Sequence, residues 1–240
     1  MRLILAVPIL CWMSGGLLAA DAAERQVLGF SADGRYFAFE QFGVQDGSGF
    51  PYSDIFIIDT EKDSWQPGTP VRVMLQEEKA NVTAARRQAA EDARSFISSL
   101  KIEEPGIVLA SQSSYQSGSD PLKLAFRSSY VPTDPAEDDE VTTVALEEIV
   151  LPGPPKCPAG DLPYAGFALS IKPSGAAQFT TVHRDTEIPA SRVCPLKYSL
   201  SDIIGFRPTI DGPVRLVALV SVYSYGFEGM DRRFVAVSLQ

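Results

Sequence analysis

The stretch FSADGRYFAFEQFGVQDGSGFPYSDIFIID, residues 30–59, decides the fold class of this chain. Over residues 36–41 the pattern has a period of two, so that successive side chains of an extended chain would point to opposite faces. This run follows closely after the turn pair Asp33 and Gly34. Such an alternation after such a turn is typical of a strand in a β-hairpin. The apolar run at 55–58 then predicts a second, buried strand. The stretch therefore predicts antiparallel β-structure.

The far end of the chain follows the same pattern. Residues 203–239 align with residues 27–60 from a first Gly-Phe pair, through a strand, to a glycine-rich loop and a closing apolar strand. Each loop carries a second Gly-Phe pair, which ends at Phe50 in one segment and at Phe227 in the other. We interpret the segments as blade-like pseudo-repeats and expect them to pair within one sheet system, which would protect edge strands.

The middle of the chain contains one helix, predicted near 81–100, among further strands. Apolar residues recur there at spacings of three and four, and Asn81 is a suitable N-cap. The strand candidates lie at 106–110, 122–126, 141–151, 167–171 and 178–183. We predict a mainly β fold of antiparallel sheets, either a β-sandwich or an irregular propeller-like array, with the helix packed on it. Phe96, Ile97 and Leu100 are expected to be buried.

Residues 1–22 have the pattern of a secretory signal peptide. Arg2 precedes an apolar run that ends in small residues. The most favourable cut follows Ala22, and a cut after Ala20 is the alternative. Residues 23–240 would then form a single mainly β domain without a transmembrane segment, since no later stretch is long and apolar enough to cross a bilayer. The predicted location is the periplasm or the secreted fraction.

The charge of the chain excludes one class of partner. Thirty acidic side chains against 21 lysines and arginines give a net charge of −9 and a pI near 4.7. Nucleic acid is therefore not the expected partner, because phosphate backbones recruit lysine and arginine. The acidic run at 133–140 could hold a calcium ion, but we interpret it as a solvated turn. No cofactor is predicted.

The cysteines predict a disulfide bond. Cys11 would leave with the signal peptide, and Cys157 and Cys194 would reach a compartment where disulfides persist. Each of the two is followed by proline, which places both in turns. A bridge would close a loop of about 37 residues, contribute about 4 kcal/mol and bring the Cα atoms within about 7 Å. The alternative is a metal site that adds His183.

Catalytic motifs are absent from the sequence. There is no GxSxG, HExxH or GxxxxGK[ST] pattern, and His183 is the only histidine, interpreted as structural. The 30 acidic residues leave an acid/base pair of carboxylates open, because the separation that such a pair needs is spatial.

The two glycine-rich loops supply the candidate binding residues. These residues combine exposed aromatic rings with guanidinium groups, which is the chemistry of interaction surfaces. They are Phe50, Tyr52, Tyr225, Phe227, Arg232 and Arg233. The alternative is that the rings fill the ends of a β-sandwich.

Two resemblances follow from these motifs. FSADGRYFAF with DIFIID resembles the TolB-like propeller repeat, with Ala32 where that repeat usually has proline. Over most of the chain, FSADGRYFAFEQFGVQDGSGFPYS, the alanine-rich helix, IPASRVCPLKYSL and GFEGMDRRFVAV are similar to a bacterial family of predicted secreted proteins, domain of unknown function 2259. That resemblance implies export and a shared fold, and it implies no activity or substrate.

These observations favour a non-enzymatic periplasmic binding or protein-interaction module that works through the two Gly-Phe loops. The expected partner is a protein of the periplasm or the envelope. The alternative is a cell-envelope hydrolase that uses paired carboxylates.

Overall fold

A computed structural model describes residues 20–77, 79–112, 118–127, 141–158, 163–210, 212–227 and 229–240. Within these ranges the chain forms three antiparallel sheets and one α-helix, without a closed barrel, which confirms the predicted mainly β fold class. Residues 1–19 of the predicted signal peptide and the acidic run at 133–140 lie outside the described residues.

The first sheet is built on the N-terminal meander, which consists of β1 (Glu24–Ser31), β2 (Tyr36–Val44) and β3 (Pro51–Asp59). It is extended by β4 (Ser64–Trp65), β5 (Val71–Met74) and β6 (Ile102–Glu104), in the order β4-β3-β2-β1-β6, with β5 also paired to β3. Gly34 adopts a φ of +74° in the turn from β1 to β2, a conformation that favours glycine.

Helix α1 (Val82–Ser99) covers the outer face of the first sheet. It begins as predicted, because the Asn81 side chain accepts a hydrogen bond from the backbone N–H of Ala84 at 2.9 Å. The side chains that face the sheet are the fully buried Ala85, Ala89 and Ala93.

The C-terminal end of α1 differs from the prediction. Phe96, Ile97 and Leu100 are only partly buried, because they cover a small cluster beside the three-residue strand β6, where the sheet offers little surface. None of the helices among the described residues has the length and apolar character that a membrane span requires.

The central sheet is built on the C-terminal meander, which consists of β12 (Pro195–Phe206), β13 (Arg215–Tyr225) and β14 (Met230–Ser238). Strand β7 (Ile107–Ser111) adds to β12, so the order is β14-β13-β12-β7 and β14 is an edge strand. The third sheet has the order β11-β10-β9-β8, from β8 (Lys123–Arg127), β9 (Val141–Val150), β10 (Ala165–Lys172) and β11 (Thr180–Arg184).

The three sheets pack face to face, and the C-terminal meander is covered on both sides. Val217, Leu219 and Phe234 face the core with the first sheet, whereas Ala218, Val220 and Val237 face the core with the third sheet. The two meanders therefore lie in different sheets and stack across a core. This corrects the expectation that they pair in one sheet, and the reason is that both faces of β13 are apolar and each needs a cover.

Cys157 and Cys194 lie at disulfide distance, with Cα atoms 5.6 Å apart, which confirms the predicted proximity. Both residues lie outside regular strands, and the hairpin of β10 and β11 lies between them in the chain. The bridge joins the segment that follows β9 to the start of β12, so it links the third sheet to the central sheet.

Candidate functional site

The two Gly-Phe loops lie together at one end of the molecule. One joins β2 to β3 and the other joins β13 to β14. A Cβ atom placed on Gly47 would lie 4.0 Å from the ring of Phe227, so the loops are neighbours. Tyr225 is 72% exposed and Phe227 is 83% exposed, while Phe50 is half-buried. Two of the predicted binding residues therefore present large exposed rings.

The remaining predicted binding residues lie beneath these loops, around the buried Asp21. The Asp21 carboxylate accepts hydrogen bonds from the hydroxyl of Tyr52, at 2.8 Å, and from the guanidinium of Arg233. Burial raises the pKa of Tyr52 well above its usual range. Arg232 is also buried and donates to the backbone oxygen of Ala23 at 2.9 Å. In the structure, Tyr52, Arg232 and Arg233 fix the N-terminal segment against β14.

A groove opens where the edge strand β14 meets the first and third sheets. It consists of two adjoining cavities of about 300 and 280 Å³ that share four lining residues, Trp65, Ser191, Arg192 and Val235. The first cavity extends along β3 and β5, and the second extends towards the end of β11. We call the two cavities together the interlayer groove.

The first cavity places a cation beside aromatic rings. The guanidinium carbon of Arg72 lies 5.9 Å from the ring centroid of Trp65 and 6.0 Å from that of Phe56. Arg72 is exposed and forms no ion pair with another described residue. Asp54 lines the same cavity and accepts a hydrogen bond from Gln41 at 3.0 Å. Burial raises the pKa of Asp54, whereas the hydrogen bond from Gln41 and the charge of Arg72, its cross-strand neighbour, act in the opposite direction.

The second cavity is lined by a charged cluster with His183 at its centre. Nδ1 of His183 lies 3.3 Å from Oδ2 of Asp63, and Nε2 lies 3.1 Å from Oδ1 of Asp185. Burial opposes protonation, but the two carboxylates outweigh it and raise the pKa of His183 to about 9. Asp185 also accepts from Arg192 and from the backbone N–H of Phe167. His183 is therefore a protonated link between the first and third sheets, in keeping with its interpretation as structural.

The rim of the groove is held firmly. Arg192, on a short 3-10 turn at Ala190–Arg192, pairs with Asp185 and lies 4.5 Å from the ring centroid of Phe167. Val193 adopts a φ of +58°, which β-branched residues rarely adopt, and the disulfide at Cys194 follows directly. The ion pair of Arg192 on one side and the disulfide on the other therefore both anchor this part of the rim.

The described carboxylates of the groove each interact with other side chains. Among the described lining residues, Asp54 is the one carboxylate of the first cavity. In the second cavity Asp63 and Asp185 both bind His183, and although burial acts in the opposite direction, these bonds lower the pKa of Asp185. A glycosidase-like pair needs one protonated acid opposite one carboxylate across a shared space. The described residues contain no cluster of three or more His, Cys, Asp and Glu suited to a metal ion.

Sequence reasoning pointed to the loops and missed the groove. Trp65 offered a usable signal, because one of the two tryptophans, Trp12, lies in the predicted leader and the other lies in a polar turn. Arg72 alternates with the apolar residues of β5 and so had to face away from the helix. Arg192 carried no local signal, because its approach to β14 depends on the packing of distant segments.

Comparison with known proteins identifies a family. The model of the family described as predicted secreted protein (DUF2259) matches residues 38–240, and the chain belongs to this family. No curated protein and no solved structure matches the chain. The resemblance of the N-terminal stretch to the TolB-like propeller repeat therefore gains no support.

Proposed function

We propose that the protein is a non-enzymatic binding module, exported to the periplasm or beyond, and that the interlayer groove holds a carboxylate-bearing ligand with a flat apolar part. The observation that carries this proposal is Arg72, an exposed guanidinium beside the rings of Trp65 and Phe56 that has no carboxylate oxygen of a described residue within 4.0 Å. A guanidinium binds a carboxylate in a fork of two hydrogen bonds, and aromatic walls cover an apolar body. Export is supported by membership in a family of predicted secreted proteins.

The other groups of the first cavity suit an anionic ligand. Arg192 and Arg233 add two further guanidinium groups to the lining, each of which also pairs with an aspartate, and neutral polar groups come from Gln41, Ser191 and Ser224. The net charge of −9 repels anions at long range, so recognition has to come from these local groups at physiological salt.

The test uses the fluorescence of Trp65, which is the only tryptophan outside the predicted leader. Benzoate and benzamide are the probes, since they share a ring and only benzoate carries a charge. We expect the fluorescence of Trp65 to change saturably with benzoate, with half-saturation below about 10 mM. The affinity for benzamide should be at least about tenfold weaker. Arg72→Gln should remove this difference.

The matched control is Arg94→Gln, on the exposed face of α1, which should leave both titrations unchanged. Equal responses to the two probes, no saturable response to benzoate, or a benzoate response that survives Arg72→Gln would each contradict a carboxylate site at Arg72.

A protein partner at the Gly-Phe loops is a second candidate, favoured by the exposure of Tyr225 and Phe227. Exposed rigid rings of this kind are enriched among the residues that dominate protein interfaces. The test is capture of envelope proteins by the wild type and by a Tyr225→Ser, Phe227→Ser double variant. Val150→Ser, at a 79% exposed site on β9, is the control. We expect the wild type and the Val150→Ser control to capture an envelope protein that the double variant does not capture. Capture of the same proteins by the wild type, the control and the double variant would contradict a binding role for the loops.

A further inference from the structure

The segment Asp21–Ala23 is part of the fold and runs along the edge strand β14. Ala22 forms a parallel bridge with Arg232. The backbone N–H of Arg232 donates to the oxygen of Asp21 at 2.9 Å, and the N–H of Ala23 donates to the oxygen of Arg232 at 3.1 Å. Ala23 is fully buried in the core between the first and central sheets. The predicted end of the leader therefore overlaps residues that the folded domain uses.

We propose that the leader is removed between Ala20 and Asp21, so that the mature chain begins at Asp21 and its new α-ammonium group pairs with Asp231. This places the cut two residues before the one that the sequence pattern favours. The inference rests on the export part of the proposed function and is independent of the groove.

The first argument is the side chain of Asp21, which is 3% exposed and accepts from Tyr52 and Arg233. A cut after Ala22 would remove this carboxylate. The hydroxyl of Tyr52, whose residue is also 3% exposed, would lose its partner, and Arg233 would lose its ion pair. Leaving buried polar groups unpaired is costly, so the fold is complete only if Asp21 stays.

The second argument is the position of the new charge. A cut after Ala22 would create an α-ammonium on Ala23, which is 0% exposed among apolar side chains, and burying such a charge without a counter-ion is unfavourable. A cut after Ala20 creates it on Asp21 instead. Burial and the nearby Asp21 carboxylate raise the pKa of Asp231, whereas the backbone N–H of Asp21 acts to lower it, and Oδ1 of Asp231 is buried without a hydrogen-bond partner among the described residues. An ammonium group there has three donors, so it can satisfy this oxygen.

Both cuts follow an alanine, but the third residue before the cut is Ala20 for the later cut and Leu18 for the earlier one, so the local pattern favours the later cut. Signal peptidase acts before the chain folds, and the fold therefore does not direct the enzyme. Of the two products, only the one from the earlier cut keeps the Asp21 carboxylate to which Tyr52 and Arg233 donate.

The decisive test is the N-terminus of the exported protein. The full-length precursor is expressed, the periplasmic and culture fractions are purified, and intact mass and N-terminal sequencing are recorded. We expect a chain that starts at Asp21. A start at Ala23, or at any other residue of the processed chain, overturns the assigned cut. An unprocessed chain that retains Met1 overturns both the cut and export, so the two failures can be told apart.

The pairing with Asp231 has its own test. Chains that start at Asp21 and at Ala23 are released from a cleavable fusion and their melting temperatures compared. We expect a lower value for the Ala23 start by about 5–10 °C. Asp231→Asn should lower the melting temperature of the Asp21 start and change the Ala23 start much less, whereas Asp92→Asn, exposed on α1, should change neither. Equal effects of Asp231→Asn on both starts, or equal melting temperatures of the two starts, would overturn the pairing.

Discussion

The N-terminal and C-terminal meanders have the same strand order but different covers. The C-terminal meander lies in the central sheet and has a sheet on each face. The N-terminal meander has the central sheet on one face and α1 on the other. Accordingly β13 carries apolar residues on both faces, whereas β2 places Phe37 and Phe39 towards the central sheet and Ala38 and Glu40 towards the helix side.

This difference shows that the size and charge of the side chains on each face of a strand depend on the element that covers that face. Towards a neighbouring sheet the strands present large apolar side chains, whereas towards the helix they combine isoleucines with Ala38 and a charged anchor, and the helix itself contributes alanines. The anchor is Arg86, which donates to both carboxylate oxygens of the buried Glu40, at 2.9 and 2.8 Å, and lies 3.9 Å from the ring centroid of Phe42. A helix that meets alanines can approach a sheet closely, so a few polar contacts then fix its position.

The largest effect should distinguish the two covers directly. Ile204 in the central sheet and Ile57 in the first sheet are both 0% exposed. Ile204→Ala should lower the free energy of unfolding by about 4 kcal/mol, because sheets on both sides prevent collapse of the cavity. Ile57→Ala should lower it by about 2 kcal/mol, since its cluster is small and the helix can move inwards. Urea unfolding measures both, and equal losses would show that the two covers are equally rigid.

The next effect concerns the link from the third sheet to the N-terminal meander through His183. Its pKa is raised to about 9 in the fold, above about 6.5 in the unfolded chain, so the stabilisation is complete below about pH 6.5 and is lost as the pH rises through 9. We expect a loss of about 2–3 kcal/mol over this window, after allowance for partial exposure. The His183→Gln variant should have a lower free energy of unfolding than the wild type at pH 6. Its free energy of unfolding should change little between pH 6 and pH 9. A wild-type profile as flat as that of the variant would contradict the link.

Overpacking should show how closely the helix approaches the N-terminal meander. Ala89→Leu inserts a large side chain at a 0% exposed site and should lower the free energy of unfolding by about 2 kcal/mol. Ala90→Leu is the matched control, because this neighbour is exposed and leucine is nearly as good a helix former as alanine. Similar small changes for the two variants would mean that the helix is loosely held.

The smallest effect tests a single contact between the meanders. The side chain of Gln41 accepts from the backbone N–H of Phe234 at 2.9 Å, on the outward side of the edge strand. Gln41→Met should leave this buried donor unpaired and cost about 1–2 kcal/mol. Gln88→Met on the exposed face of α1 is the control. Amide exchange at Phe234 should accelerate in the first variant, and unchanged exchange there would mean that the contact is not needed.

Local patterns predicted the elements of the fold well. The alternation over residues 36–41 predicted β2, Asn81 predicted the start of α1, and the prolines after Cys157 and Cys194 placed both cysteines in turns. The stacking of the meanders could not be predicted in the same way, because an alternating strand indicates that a face is covered and does not identify the partner.

For the candidate sites, too, local sequence patterns identify residues but not the tertiary contacts that those residues make. The loops could be found by their glycines and rings, but the exposure of Phe227 and the burial of Tyr52 differ because of tertiary packing alone. The groove brings Trp65 and Arg72, from two consecutive strands, together with Arg192 from a distant part of the chain. Asp21 was assigned to the leader because small neighbours are a local signal, whereas its partners Tyr52 and Arg233 are distant.

The stacking of the two meanders sets the order in which the chain can fold. The core face of β2, which leaves a ribosome early, packs on β13 and β14, which are made last. Asp21 and Arg233, which form an ion pair, are 212 positions apart in the chain. Contacts of such long range make folding slow. The N-terminal meander therefore cannot finish its core during synthesis, and the chain stays without a complete core until its last strand has emerged. Such late completion of the core is compatible with the description of the family as predicted secreted proteins.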